Sequence, residues 1–202
     1  MTSLRHNHES STGPRDAYLD AARACILDVG WRRTTLTEVA RRAGVSRMTI
    51  YRSWADMPTL LGDLMTREWT GLVATTVGTS TAADPLTRLV DDVVATIGAL
   101  RENELFVRIV ELDPELVLPY LLSRRGRSQD LILGLLTEAL REAQSSGSVR
   151  DGDPVAMARA MVLTAHGFVL SAHTMVDAEV EADALDDELR LLLTRGLVGG
   201  AS

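Results

Sequence analysis

The chain has no lysine: all 21 of its basic side chains are arginine. We read this as the codon use of a GC-rich genome, not as chemistry. Cys25 is the single cysteine, which excludes an internal disulfide and fits a reducing cytoplasm. It sits among Ala21, Ala22, Ile26 and Val29 at helical spacing, which favours a small buried hydrophobe over a reactive thiol. Aromatics make up only 4% of the residues, so a core must be built from Leu, Val, Ala and Ile. Residues 1–16 hold no apolar run of the kind a signal peptide needs. The longest uncharged run, 160–176, carries two His and several hydroxyls, and is too polar and slightly short to cross a membrane. No stretch alternates with period two, so no sheet is expected and the fold class is all-α. There is no nucleophile elbow, no His-Glu-x-x-His and no Gly-rich phosphate loop. An enzyme is therefore not expected, and neither a metal site nor a cofactor is implied.

What is present is concentrated in residues 34–54. Thr35 can cap a short helix, and Glu38 three residues on completes a capping box. Ala43-Gly44-Val45 breaks that helix, because glycine tolerates the left-handed conformation of a sharp turn. Ser46 then caps a second helix. Two short helices across a Gly turn make a helix-turn-helix, whose second helix lies in the DNA major groove.

Charge supports that reading. The chain carries a net −7, with a pI of about 5.1. Residues 31–52 nevertheless hold six arginines against the single acid Glu38. Residues 1–56 are net +3 and residues 57–202 net −10. A local basic face is what phosphate contact requires. With Ile50 as the buried anchor of the second helix, about 100° per residue puts Met48 and Arg52 farthest from the core. Thr49 and Tyr51 flank them. Met48, Thr49 and Arg52 are thus the candidates for base edges, through guanine for Arg and a thymine methyl for Thr or Met. Met48 can alternatively fill a gap against Thr35 or Thr37. Arg47 and Tyr51 are better placed for phosphates, and Thr35 and Thr37 for the backbone at the first helix's N-terminus.

The organisation follows from helical period. Residues 1–13 read as a disordered polar tail. A first helix starts at Pro14 or Asp16, turns Leu19, Ala22, Ile26 and Val29 inward and stops at Gly30. Residues 14–56 form the DNA-binding domain. Asp56 caps a connector helix carrying Leu60, Leu61, Leu64, Met65, Trp69 and Leu72, which opens a larger domain over 57–202. Further helices are expected over 85–100, 103–112, a short piece ending near Leu122, 128–143, 154–175 and 183–198. The 154–175 helix is apolar nearly all round, which implies burial on two sides. Arg159, His166 and His173 share one of its faces at seven-residue spacing, either as a polar seam against a partner's last helix or as ligand contacts. Arg108 and Glu111 read as an exposed pair or as part of a site.

The pattern Ala21-Ala22, Gly30, Thr34-Thr35-Leu36, Val39-Ala40, Ala43-Gly44-Val45-Ser46, Thr49-Ile50-Tyr51, Trp54 and Leu60-Leu61 resembles the TetR family of bacterial transcription regulators. The resemblance is strongest over residues 17–61. Asp113-Pro114-Glu115-Leu116, Gly147-Ser148-Val149-Arg150 and Asp153-Pro154 echo it more weakly. It implies a cytoplasmic, all-helical homodimer, joined through the helices near 154–175 and 183–198. It also implies a double-stranded DNA operator, no membrane, and a repressor released by a small-molecule effector. A DNA-binding activator or architectural regulator without an effector is the alternative. A cavity between helices is the default effector site of such an architecture, with Trp69, Phe106, Arg108, Tyr120, Met161, His166 and Phe168 as its candidates. Two departures stand out. Met57-Pro58 replaces a usual Lys-Glu pair, and Ser53 stands where His is frequent, so two customary backbone contacts are missing.

Overall fold

A computed structural model describes residues 13–199. The expected polar tail, save Gly13, lies outside the described residues. Among those residues there are helices and no strand. A division between Leu64 and Met65 separates two compact units. It falls inside helix α4, past Met57, which is the first residue of the helix and the expected start of the larger domain.

The first unit holds α1 (Pro14–Val29), α2 (Leu36–Arg42), α3 (Arg47–Ser53) and the first turns of α4 (Met57–Thr76). Its core is Leu19, Ala22, Ile26, Leu36, Val39, Ile50, Trp54, Leu60 and Leu64. Each fully buried large aliphatic side chain contributes about 1.5–3 kcal/mol. Val29, expected inward, is exposed. The helix stops right after it at Gly30 (φ 82), whose N–H closes back on Ile26 O; Asp28 and Val29 of the last turn face solvent while Ile26 stays in the core. Cys25 is buried, and burial pushes its thiol pKa up, which disfavours the reactive thiolate. Trp54 locks the end of α3. Its indole N–H donates to Asp63 Oδ2 at 2.8 Å, Arg15 lies 4.8 Å over its ring, and Tyr18 meets its edge at 6.4 Å. Arg15 also pairs with Asp63.

The second unit holds the rest of α4 with α5 (Pro85–Arg101), α6 (Glu104–Leu112), α7 (Leu118–Leu122), α8 (Arg127–Ser145), α9 (Pro154–Ser171) and α10 (Ala182–Leu197). Asp84, Asn103 and Asp153 cap α5, α6 and α9, each accepting a backbone N–H of the first turn. α9 packs on α8 and α5, and α10 on α5. Leu86, Val90, Val94, Ile97, Leu140, Ala158 and Leu189 fill the space between them. Arg101 and Asp186, 2.5 Å apart, tie α5 to α10.

Two expectations about α9 need correction. The helix ends at Ser171, and Ala172–Thr174 continue as a 3-10 turn. Its burial is one-sided: Met157, Ala158 and Met161 are buried, while Leu163 is 69% exposed. An all-apolar helix covered on one side only needs something further on the other. Pro154–Thr174, at 21 residues, is also long and apolar enough to cross a membrane by length and composition. The 160–176 window missed this, because it began after Arg159 and left out Pro154, Val155, Ala156, Met157 and Ala158.

Candidate nucleic-acid interface and ligand cavity

The helix-turn-helix is built by local hydrogen bonds. Thr35 Oγ1 accepts the Glu38 N–H at 3.2 Å and starts α2. The reciprocal half of the capping box gives way to an ion pair: both Glu38 carboxylate oxygens take Arg41, at 2.9 and 2.6 Å. That hydrogen bond holds the Glu38 carboxyl below its ordinary pKa. At the other end Gly44 (φ 68) donates to Arg41 O and Val45 donates to Ala40 O. These are the two bonds of a Schellman turn, which only a left-handed residue closes without strain. Ser46 Oγ accepts the Thr49 N–H at 3.2 Å and starts α3. Thr34 Oγ1, buried, donates to Gly30 O at 2.8 Å and fixes the link from α1.

These caps aim α3. Ile50 is buried, whereas Arg47, Met48, Tyr51 and Arg52 are exposed and Thr49 is half-exposed. Met48, at 64%, is among the most exposed apolar residues of the unit. An apolar side chain held in water with no core to cover suits a partner surface. Thr49 Oγ1 lies 2.9 Å from Ser46 Oγ, so its hydroxyl serves the cap. Thr35 and Thr37 are exposed at the start of α2. Ser53 is half-buried and its hydroxyl turns back to Thr49 O at 3.4 Å. Asp56 Oδ1 accepts the Thr59 N–H at 2.7 Å and sets the entry of α4; its bonds to Thr59 hold its pKa down.

The basic face is narrower than the arginine count suggests. Arg41 is paired with Glu38, and Arg42 with Asp28 of α1 at 2.5 Å. Arg47 and Arg52 stand on α3 with no ion pair among the described residues, and both flank Met48 and Tyr51. The Arg41 pairing is an i,i+3 contact visible in sequence. The Arg42 pairing is tertiary and has no sequence signal.

The second unit holds a cavity of about 260 Å³, bounded by α4, α5, α8 and α9. Of the seven sequence candidates, Met161 lines it. The others fall into three groups elsewhere. Trp69 and Phe106 pack edge to face, 5.6 Å between ring centres, and Arg108 lies on the same helix as Phe106 with its Nε buried and unpartnered. Tyr120 and His166 meet through Gln129, whose amide nitrogen is 3.2 Å from Tyr120 O and 3.4 Å from His166 Nε2. Phe168 packs against the core of the second unit. His166 is half-buried, and burial holds its pKa below the ordinary 6.5. Arg159 and His173, its partners in the expected polar stripe, are both exposed.

Sequence reasoning missed the polar residues that do line this cavity: Arg88, Asp92, Thr96 and Glu142. Three of them recur every four residues on α5, between Leu89, Val93 and Ile97. Polar residues at helical spacing inside an apolar face were the available signal.

Residues 19–64 match the family described as bacterial regulatory proteins, tetR family. An uncharacterized HTH-type transcriptional regulator of Mycobacterium tuberculosis (strain ATCC 25618 / H37Rv) is 36% identical over 183 residues, covering 91% of this chain and 93% of the relative. Among solved structures, the Rhodococcus erythropolis transcriptional repressor QsdR, of the TetR family, aligns with TM-score 0.65 at 17% identity, over 94% of this chain and 97% of that one. The complex of SmeT with triclosan aligns with TM-score 0.62 at 25% identity, over 94% of each chain.

Proposed function

The chain belongs to the TetR family of bacterial transcriptional regulators, and from that premise we propose that it is a repressor released from its operator by a small molecule. It is a sequence-specific DNA-binding transcriptional regulator. In our reading α3 enters the major groove of double-stranded DNA. Arg52, Met48 and the Thr49 methyl meet base edges, and Arg47, Tyr51, Thr35 and Thr37 hold the backbone. The observation that carries this is the division of α3 into a buried Ile50 side and an exposed side where Arg47, Met48, Tyr51 and Arg52 stand together. Arg47 supplies backbone charge that Ser53 and Met57-Pro58 do not.

The effector enters the cavity between α4, α5, α8 and α9, with Met161 in its wall. SmeT, of like fold, forms a complex with triclosan. The protein works in the cytoplasm as a homodimer. Leu163 of α9 and Leu191 and Leu192 of α10 are exposed, and in our reading a second copy covers them. Arg159 is exposed one turn before Leu163, which suits a protein partner better than lipid.

The test is a footprint of the purified protein on the DNA upstream of its own coding region, followed by release with small apolar compounds that raise its melting temperature. A protected, two-fold related site lost on adding such a compound is expected. Absence of any protected site, or a compound that binds and leaves the footprint intact, counts against the repressor reading.

A further inference from the structure

One residue of the second unit's cavity wall, Asp92, keeps a buried carboxylate oxygen unpartnered among the described residues. Most of the wall is Val, Leu, Ile, Met and Ala. Its polar residues are largely committed. Arg88 Nη1 donates to the carbonyls of Ala82 and Ala83, at 2.9 and 2.7 Å. Thr96 Oγ1 donates to Asp92 O at 2.7 Å and lies 2.7 Å from Thr76 Oγ1. Glu142 is exposed to water. Asp92 Oδ2 accepts the Gly78 N–H at 2.9 Å, while Asp92 Oδ1 is buried with no hydrogen-bond partner among the described residues. A carboxylate oxygen left in this state costs about 1–3 kcal/mol or more, and it accepts but does not donate.

We propose that this cavity takes a small apolar molecule ending in a protonated amine, whose N–H donates to Asp92 Oδ1. The proposal rests on the reading of the cavity as the effector site. Charge points the same way, since Asp92 and Glu142 face the cavity against one arginine whose Nη1 is pinned to two carbonyls. An acid of the same length would set its carboxylate beside Asp92 in an apolar wall, where two like charges repel and neither is hydrated. A neutral alcohol would satisfy Oδ1 with one hydrogen bond and no charge, and should fall between the two. At about 260 Å³ the cavity is at or just below the small end of ligand sites, which run roughly 300–1,000 Å³. The occupant is correspondingly compact.

The test uses one chain length and three head groups: octylamine, octanol and octanoate, each titrated calorimetrically into the full-length protein. Octylamine should bind at least about tenfold more tightly than octanoate, the ratio a charge-assisted hydrogen bond supports. Asp92→Asn keeps an acceptor for Gly78 and removes the charge, and should shrink that preference to about threefold or less. Val93→Phe, which fills the cavity, should weaken all three. Equal or tighter binding of octanoate, no binding of octylamine to the wild type, or a preference that survives Asp92→Asn overturns the proposal. The operator complex separates this outcome from the effector reading. Octylamine that binds without releasing DNA keeps the ligand class and removes the effector role. Octanol or octanoate that releases DNA while octylamine does not bind keeps the effector role and removes the ligand class.

Discussion

The two units differ in how completely their buried polar atoms are paired. In the first, the deep polar groups are matched: the Trp54 indole with Asp63, the Thr34 hydroxyl with Gly30 O, the ends of α2 and α3 with Thr35, Gly44 and Ser46. In the second, Asp92 Oδ1, Arg108 Nε and Asp186 Oδ1 are buried without partners among the described residues. A cavity lies between its helices, and α9 and α10 show leucines to solvent. A unit that must present one helix at a fixed angle has its hydrogen bonds closed internally. On the proposed reading, a unit that receives a ligand leaves an acceptor such as Asp92 Oδ1 to be completed from outside.

That contrast predicts how each unit responds to change. The largest effect should come from Trp54→Ala, which empties the anchor of α3 and removes the indole N–H that Asp63 accepts. Loss of about 3–5 kcal/mol is expected for the first unit by denaturant unfolding, and a loss under about 1 kcal/mol would mean that the anchor is not what holds α3. Adding volume should divide the units. Val39→Phe overpacks the first core and should cost about 1–3 kcal/mol, whereas Val93→Phe grows into an existing cavity and should be neutral or stabilising. Equal costs would erase the distinction. Gly44→Ala meets no atom within 4 Å, so its effect is purely backbone, about 1–2 kcal/mol for forcing φ 68 on an alanine. The smallest effect is a pH dependence. Burial depresses the His166 pKa, so below the ordinary 6.5 the unfolded chain binds the proton more readily than the folded one. Stability from neutral His166 is complete above pH 6.5 and is lost as pH falls below it. Denaturant curves at pH 7.5 and 5.5 should therefore converge for His166→Gln relative to wild type; an unchanged gap sinks that assignment.

How much of this was legible in the sequence follows the same divide. Thr35, Gly44, Ser46 and Asp56 act within three or four residues of themselves, so their roles could be read from spacing alone. So could the outward face of α3, which depends only on Ile50 and the helical period. The Glu38 carboxylate was misassigned in one respect, because Arg41 one turn on competes for it. The Arg42–Asp28 pair, the Trp54–Asp63 bond and the cavity wall join residues far apart in sequence, and periodicity cannot see them. Of the aromatic residues expected to line a pocket, Trp69 and Phe106 pack edge to face, Phe168 packs on the core and Tyr120 lies against Arg124.

The central claim is that α3 reads DNA through Arg52 while Arg47 only holds the backbone. Fluorescence anisotropy on the footprinted site and on single-base variants of it, across a salt series, tests it most directly. Arg52→Ala should cost about 1–3 kcal/mol and flatten the preference at one base position. Arg47→Ala should weaken all sequences alike and lower the salt slope by about 0.9. Unchanged affinity and unchanged base preference in Arg52→Ala would contradict the account.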